Sequence, residues 1–259
     1  MPTGTYTISY GAVAGYTTPR DDTKTLGAGG AIIFTATYTP PDTTPPVAGP
    51  VTSSPEFGTF VGSPFSLTTA FTDHESPVTG CEYTTDGATW VSATVSGSAP
   101  TFTCTQTGIT GTDSQHPTLN MRATSAGGVG PGTPVTRTVD AKAPTTTDNA
   151  PKNWVNTDQT IILTATDGAG SGPAQTKYCT DTTNACSPST IGTSVPVTCE
   201  AGQTCVQYVR YQSVDNVGKV EPIQGVAVWI DKEGPTPVTD LVASGRFSHL
   251  HNVDLGQPC

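Results

Sequence analysis

The chain has 259 residues and a formal net charge of −10 at pH 7, and only 12% of its residues are charged. Its eleven lysines and arginines are scattered, which excludes the positive face that nucleic-acid binding requires. No apolar run reaches the roughly 18–20 residues of a membrane helix, so no membrane span is expected. Frequent Gly (28) and Pro (23) are typical of short strands joined by turns.

Residues 1–39 show the two-residue alternation of β-strands. Strands are predicted at Thr5–Tyr10 and at Ala31–Tyr38, with a turn at Gly27–Gly30. The segment Gly4–Pro19 resembles the second half of a PEGA-type repeat, a small β-sandwich of bacterial cell surfaces. The resemblance implies that residues 1–39 are a partial β-repeat whose first strands lie upstream.

A linker that begins with aspartate occurs three times, at Asp42–Pro46, Asp140–Pro144 and Asp231–Pro235. Successive linkers are 98 and 91 residues apart. Roughly 90–100 residues is the size of an immunoglobulin-like (Ig-like) sandwich, so the repeat predicts two complete sandwiches in tandem. Prolines restrict φ and favour an extended path, so these linkers should keep neighbouring modules apart.

The repeat divides the chain into five parts. A linker occupies 40–47, Ig-like domains occupy 48–140 and 141–235, and 236–259 is a truncated further module or a non-native tail. The predicted fold is therefore all-β, with tandem antiparallel Ig-like β-sandwiches joined by Pro-rich linkers. Met1 is not followed by the segments of a signal peptide, so an exported chain of this kind is expected to be a fragment of a longer protein.

Alternating stretches predict five strands in each complete unit. The first unit has them at Ser66–Phe71, Thr79–Thr84, Thr101–Thr105, Thr118–Thr124 and Val135–Val139. The second unit has them at Thr160–Ala165, Thr176–Cys179, Ser194–Cys199, Val206–Ser213 and Gly225–Ile230.

The second unit carries the motifs of a known family. Ile162–Gly172 reads ILTATDGAGSG, and Tyr208–Gly218 reads YVRYQSVDNVG, between Trp154 and the closing Trp229–Asp231. The unit is similar to the bacterial Ig-like family named after a leptospiral outer-membrane adhesin, although Lys219 stands where that family most often has Asn. The resemblance implies a secreted or surface-attached bacterial protein, and it does not identify a ligand.

Seven cysteines are present, and none has the Cys-x-x-Cys spacing of zinc or haem motifs. Disulfides are therefore expected, which indicates an oxidising compartment and an extracellular or cell-surface location. Four cysteines in the second unit allow three connectivities, and the favoured one joins cysteines that bracket short turns. The favoured pairs are Cys81–Cys104, Cys179–Cys186 and Cys199–Cys205. Cys259 is left over.

Aspartates at the linkers and on predicted loops are candidate calcium ligands, because this hard cation prefers carboxylate and carbonyl oxygens. The candidates are Asp140, Asp231, Asp167 and Asp215. Calcium at a junction would fix the angle between modules. The alternative is that these aspartates cap turns through their own backbone, and no Asp-x-Asp-x-Asp loop is present. No other cofactor is expected.

Two further groups of residues suggest ligand binding or catalysis. Trp90, Trp154 and Trp229 could stack on sugars if they are exposed, although core packing is the alternative. The sequence around Ser125 matches the Ala-x-Ser-x-Gly form of the nucleophile elbow. The glycine-rich text that follows cannot open the helix that the elbow requires. The candidate bases for Ser125 are His249 and His251, in the C-terminal tail.

The sequence therefore predicts a non-catalytic structural or adhesive array from a secreted or surface-anchored bacterial protein. Its expected partners are neighbouring modules of a longer chain and a polysaccharide or a host or cell-surface protein. One alternative is a carbohydrate-binding or accessory region of an extracellular hydrolase. A lesser alternative is a small esterase-like serine hydrolase that uses Ser125.

Overall fold

Nineteen β-strands and no helix build residues 2–234, the part of the chain that the computed structural model describes. This architecture confirms the all-β prediction. No helix in the described range has the length and apolar character needed to cross a membrane. Residues 236–259, predicted as a truncated module or non-native tail, and Cys259 with them, lie outside the described residues.

The N-terminal part is a two-stranded antiparallel hairpin of β1 (Gly4–Ile8) and β2 (Asp22–Leu26). The predicted strand at Ala31–Tyr38 is not formed; a single bridge joins Thr17 to Thr39 just beyond it. Alternation predicts an extended backbone, but a strand also requires a neighbouring edge with matching hydrogen bonds. In this part of the structure Asp22–Leu26, rather than 31–38, pairs with β1.

The first sandwich contains ten strands. They are β3 (Val47–Ala48), β4 (Thr52–Phe57), β5 (Phe60–Thr72), β6 (Gly80–Thr84), β7 (Val91–Ser98), β8 (Thr101–Ile109), β9 (Thr118–Ser125), β10 (Gly128–Pro131), β11 (Val135–Thr136) and β12 (Thr138–Asp140). The central order is β10-β9-β6-β7-β8-β5-β12. β7 pairs with β6 through its first residues and with β8 through its last, so one ladder continues around the sandwich.

Strand β4, which contains Pro55, is not among the predicted strands. Proline cannot donate to a ladder and is confined to edge strands and bulges. β4 pairs only with β5, and its register shifts between Ser54 and Glu56, on either side of the proline. The strand is therefore an edge strand with a bulge, a case in which the local signal argues against a strand.

The second sandwich contains seven strands in two sheets. They are β13 (Thr145–Asp148), β14 (Gln159–Thr166), β15 (Pro173–Asp181), β16 (Thr190–Ile191), β17 (Ser194–Val197), β18 (Thr204–Asp215) and β19 (Gln224–Asp231). One sheet has the order β13-β14-β17 and the other β16-β15-β18-β19.

Each sandwich encloses its own hydrophobic core. In the first, Leu67, Phe71 and Met121 are fully buried, and in the second, Val209 and Val228 are. The long strands bury every second side chain, as a strand with one face toward a core should.

Three disulfides form within the sandwiches, one in the first and two in the second. They are the pairs favoured from the sequence. Cys81–Cys104 joins β6 to β8 inside the first core. Cys179–Cys186 and Cys199–Cys205 close short loops at the edges of the second sandwich. All three therefore brace β-structure.

Candidate metal centre

Two carboxylates converge because the inward-facing period of two strands continues past the hydrophobic core. In β14 the buried Leu163 is followed, at the same two-residue period, by Asp167 just beyond the strand end. In β18 the buried Tyr211 is followed in the same way by Asp215 at the last position. Since β14 and β18 belong to opposite sheets, residues on their inner faces approach each other across the sandwich.

A third carboxylate comes from the linker. Asp140 ends β12 of the first sandwich and is 1% exposed. One carboxylate oxygen from each of Asp140, Asp167 and Asp215 lies within 4.8 Å of the other two. We call these three residues the junction cluster. The structure therefore brings together three of the four predicted calcium ligands, at the point where the first sandwich meets the second.

Backbone groups of the β14–β15 loop hold two of the carboxylates. The N–H of Ser171 donates to Asp140 Oδ2 at 2.7 Å, and the N–H of Gly172 donates to Asp167 Oδ2 at 2.8 Å. A Cβ at Gly170 would lie 2.5 Å from Asp167 Oδ2 and 3.0 Å from Asp140 Oδ2. The loop therefore approaches the cluster so closely that a side chain at position 170 would displace the carboxylates.

The turn after β18 holds the third carboxylate. Asp215 Oδ1 accepts from the N–H of Val217 at 2.9 Å and from that of Lys219 at 2.8 Å. This is the turn-capping role expected for an aspartate in a loop. It occupies one oxygen only: Asp215 Oδ2 and Asp140 Oδ1 are buried and have no hydrogen-bond partner among the described residues.

Burial and mutual repulsion disfavour the ionised form of the carboxylates in the cluster. Burial raises the pKa of Asp167 above its ordinary value, and the carboxylates of Asp140 and Asp215 raise it further, against the hydrogen bond from Gly172. Burial is also the main cause of the raised pKa of Asp215, with Asp140 adding to it. Both shifts indicate a site that would favour a positive charge.

Asp113, which the sequence analysis did not single out, lines the same cleft as Asp140 and Asp167. Its carboxylate pairs with Lys142 Nζ at 2.8 Å and accepts the N–H of Ala141 at 3.2 Å. The hydrogen bond from Lys142 is the main reason that the pKa of Asp113 lies below its ordinary value. No local pattern marks this residue, because it reaches the cleft from a loop of the preceding sandwich.

The fourth predicted ligand lies elsewhere. Asp231 is opposite Thr204 in the β18–β19 ladder, at the other end of β18 from Asp215. Eleven strand steps at about 3.3 Å each separate the two positions by about 35 Å. The Asp231 carboxylate accepts from Thr204 Oγ1 and from the N–H of Glu233, both at 3.0 Å. It therefore caps the start of the third linker and lies apart from the junction cluster.

The first junction has a related arrangement with different neighbours. The linker aspartate Asp42 accepts hydrogen bonds at Oδ2 from Ser76 Oγ, from Ser125 Oγ at 3.1 Å and from the N–H of Gly127 at 2.8 Å. The bond from Ser76 is the main reason that the pKa of Asp42 falls to about 2. Hydrogen bonds therefore stabilise this linker carboxylate as an anion.

These contacts also describe the role of Ser125. β9 ends at Ser125 and turns back into β10, so the strand-to-helix turn of a nucleophile elbow is not formed. The hydroxyl donates to the carboxylate of the linker aspartate Asp42. Among the described histidines, His116 contacts Thr138. The candidate bases His249 and His251 lie outside the described residues.

The three tryptophans do not form one aromatic surface. Trp90 is half-buried in the first sandwich, where the Arg122 guanidinium lies over its ring at 4.2 Å from the centroid. Trp229 is half-buried on β19. Trp154 is 53% exposed and lines a shallow depression with Asn156 and other residues of the second sandwich. Only Trp154 therefore offers most of its ring to solvent.

Solved structures that resemble the chain include an ectodomain fragment of ICAM-5, at 14% identity over 81% of this chain and 51% of that one, with a TM-score of 0.30. The FN1–FN3 domains of chicken CNTN1 match at 11% identity over 74% and 68%, with a TM-score of 0.28. The adhesin InvE of Yersinia pseudotuberculosis matches at 14% over 71% and 58%, with a TM-score of 0.24.

The chain thus spans about half the length of the ICAM-5 fragment. No family model matches it, and a search of curated proteins also found no match. The residues of the junctions themselves are therefore the basis for a functional assignment.

Proposed function

We propose that the chain is a non-catalytic structural and adhesive segment of an exported bacterial surface protein, in which Ig-like modules form a stiff array. The observation that carries this proposal is the docking of the first two linker aspartates among the strand ends of the module that follows each of them. Asp42 bonds to Ser125 and Gly127 of the first sandwich, and Asp140 bonds to Ser171 of the second. A linker held in this way restricts the angle between modules.

The first linker lies against a glycine-rich hairpin. A Cβ at Gly127 would come within 2.2 Å of the Thr44 carbonyl oxygen, and one at Gly130 within 1.8 Å of the Pro46 carbonyl oxygen. Both glycines therefore leave room for the linker backbone to pack on the β9–β10 hairpin. The glycine run that argued against a nucleophile elbow has this packing role instead.

The second junction adds direct contacts between sandwiches. Lys219 Nζ donates to the carbonyl oxygen of Ser63 in β5. The neighbouring Gly62 faces Val217, since a Cβ there would lie 3.5 Å from Val217 Cβ. A side chain and a turn of the second module thus rest on the first module, beyond the covalent linker.

Location and partners follow from the cross-links and from the family resemblance. Three disulfides in a described range of this size favour an oxidising, extracellular environment. The similarity of the second unit to bacterial Ig-like domains supports a bacterial surface protein. Its partners would be neighbouring modules of a longer chain and a surface protein or polysaccharide.

Small-angle X-ray scattering tests the stiffness of the array. We expect the full chain to give a narrow distribution of maximum dimension, because both junctions are docked. Inserting Gly-Ser-Gly after Ala141 should broaden that distribution, since the linker aspartate would be separated from the second sandwich. The control is the same insertion at the exposed Ala99–Pro100 turn, which should leave the distribution unchanged. A wild-type distribution as broad as that of the Ala141 insertion would contradict the proposal.

The exposed Trp154 favours a second candidate, a carbohydrate-binding accessory region. A single ring can stack on a sugar, although one exposed aromatic is also common on protein surfaces. Retention of the chain on insoluble polysaccharide, lost in Trp154→Ala and kept in Trp90→Ala, would support this function. Equal retention of both variants would contradict it.

A further inference from the structure

We propose that the junction cluster of Asp140, Asp167 and Asp215 is a calcium site that couples the linker to both sheets of the second sandwich. For its mechanical consequence this inference rests on the proposed stiff array. The binding of the cation is a separate claim, and its measurement does not depend on the array.

The unpartnered oxygens are the first reason. Asp140 is 1% exposed and Asp215 is 2% exposed, and each keeps one buried oxygen without a hydrogen-bond partner in the described range. Both residues belong to the junction cluster, in which one carboxylate oxygen from each residue lies within 4.8 Å of the others. Buried carboxylate oxygens are costly unless they are hydrogen-bonded or bind a metal. A cation would occupy the space between these carboxylates and satisfy the oxygens that have no donor.

Charge balance is the second reason. Two lysines adjoin the cluster, Lys142 in the lining of the cleft and Lys219 in the turn after β18, and both are engaged elsewhere. Lys142 pairs with Asp113 at 2.8 Å, and Lys219 donates to the Ser63 carbonyl. No salt bridge among the described residues involves a member of the junction cluster. The N–H donors on Asp140 and Asp167 offset only part of three negative charges.

The first junction supplies an internal comparison. Aligning the repeats on Asp73 and Asp167 places Gly170 opposite Ser76, which is the hydroxyl donor to Asp42. Aligning them on the Arg-x-x-Ser pairs places Asp215 opposite Gly127, which is the backbone donor to Asp42.

At the second junction the hydroxyl donor is therefore missing, and Asp215, opposite Gly127, directs its backbone N–H to the Lys219 carbonyl oxygen and adds a carboxylate. Hydrogen bonds satisfy the linker aspartate at the first junction. At the second, Asp140 keeps one oxygen without a donor among the described residues and lies beside the carboxylates of Asp167 and Asp215, so a cation is the group that would satisfy them. The substitution of Ser by Gly also opens the space, because a Cβ at Gly170 would press on two of the carboxylates.

The ligand set selects a hard cation. The cluster contains no histidine and no cysteine, so it lacks the nitrogen and sulfur ligands that zinc sites in proteins usually include. Calcium accepts six to eight oxygens in irregular geometry, and carbonyls or water can complete a set of three carboxylates. Magnesium needs a near-octahedral site and usually binds one or two carboxylates with several waters. Three converging carboxylates at a loop therefore favour calcium.

The consequence follows from where the ligands originate. Asp140 ends the last strand of the first sandwich, Asp167 directly follows β14, and Asp215 ends β18 in the opposite sheet of the second. A cation held by all three would tie the first module to the rim of the second. Calcium would then narrow the range of angles between the modules.

Isothermal titration of the full chain, first treated with a chelator, tests binding with CaCl₂ and separately with MgCl₂. We expect a calcium dissociation constant on the order of 10⁻⁴–10⁻³ M, the range of extracellular modules. Asp167→Asn and Asp215→Asn keep the side-chain shape and the oxygen that accepts the backbone N–H. Each should weaken calcium binding by at least about tenfold. The control is Asp42→Asn at the first junction, which should leave the constant within about twofold.

Thermal unfolding separates this role from a structural one. About 10 mM calcium should raise the Tm of the wild-type second module by several degrees, as expected for a ligand that binds only the folded state. In chelator, Asp167→Asn should unfold at the wild-type temperature or above, because it removes repulsion between carboxylates, and calcium should no longer raise its Tm. A purely structural aspartate would instead lower Tm in chelator.

Absence of calcium binding by the wild type, or unchanged affinity in both asparagine variants, would overturn the site. Tighter binding of magnesium than of calcium would overturn the assignment to calcium. Scattering with and without calcium then tests the coupling. Calcium binding with an unchanged distribution of maximum dimension would overturn the stiffening, whereas a wild type that is broad under all conditions would contradict the proposed array itself.

Discussion

Replacing Glu221 with glutamine should destabilise the second sandwich, because this buried carboxylate links its two sheets. Glu221 is 3% exposed. Its Oε2 accepts the N–H of Thr146 in β13 at 2.9 Å, and its Oε1 accepts the N–H of Ser213 in β18 at 2.7 Å. The Thr146 hydroxyl also donates to Oε1. Donors from both sheets thus converge on one side chain.

The size of the effect follows from the number of acceptor oxygens. An amide has one acceptor oxygen, whereas both oxygens of Glu221 accept backbone N–H groups, so Glu221→Gln must leave one N–H facing an NH₂ group. A hydrogen bond to a charged group contributes about 1.5–3 kcal/mol, and an unsatisfied buried donor costs about 1–3 kcal/mol. Because a neutral amide is easier to bury than a carboxylate, we expect a net loss of about 2–4 kcal/mol.

Urea unfolding and, separately, calorimetry measure this loss. Each sandwich has its own core and should therefore give its own unfolding transition. A loss of this size is a large fraction of the roughly 5–15 kcal/mol that stabilises a domain. The variant should therefore still fold, but it should unfold at a lower urea concentration than the wild type. Glu200→Gln, an exposed acid in the same sandwich, is the matched control and should change stability by less than about 0.5 kcal/mol. An unchanged or more stable Glu221→Gln protein would refute the reasoning, because burial of the charge would then outweigh its bonds.

Two further predictions concern the cross-links and the first junction. Replacing Cys81 and Cys104 with serine should cost roughly 3.5 kcal/mol, and replacing Cys199 and Cys205 about 2.4 kcal/mol. Closing a sequence separation of 23 rather than 6 residues restrains the unfolded chain more, and equal losses in urea unfolding would argue against this entropic account. Because the pKa of Asp42 is lowered to about 2, its contribution to linker docking is complete above the ordinary value of 3.8 and is lost as pH falls toward 2. Hydrogen exchange of the Gly127 N–H, which donates to Asp42, should accelerate as pH falls from 3.8 toward 2 in the wild type but not in Asp42→Asn.

Local patterns in the sequence predicted most of the β-architecture. Alternating stretches such as Ser66–Phe71 lie inside observed strands, because the two-residue period is a property of the strand itself. The repeat of aspartate linkers and the short spacing of Cys199 and Cys205 are likewise visible along the chain. The failures at 31–38 and at β4 arise where a strand depends on its partner: one alternating stretch pairs with no strand, and a proline-containing stretch is accepted at an edge.

The sequence by itself determined that this chain is an all-β array of disulfide-braced modules, and it nominated Asp140, Asp167, Asp215 and Asp231 together. The tertiary structure determines which of them meet, because two sheets and a linker bring three aspartates together while β19 carries Asp231 to the far end of the sandwich. The tertiary structure also added Asp113 from another loop, and it showed that the two junctions differ in their donors. Such differences depend on contacts between residues 27 to 85 positions apart, which no local pattern records.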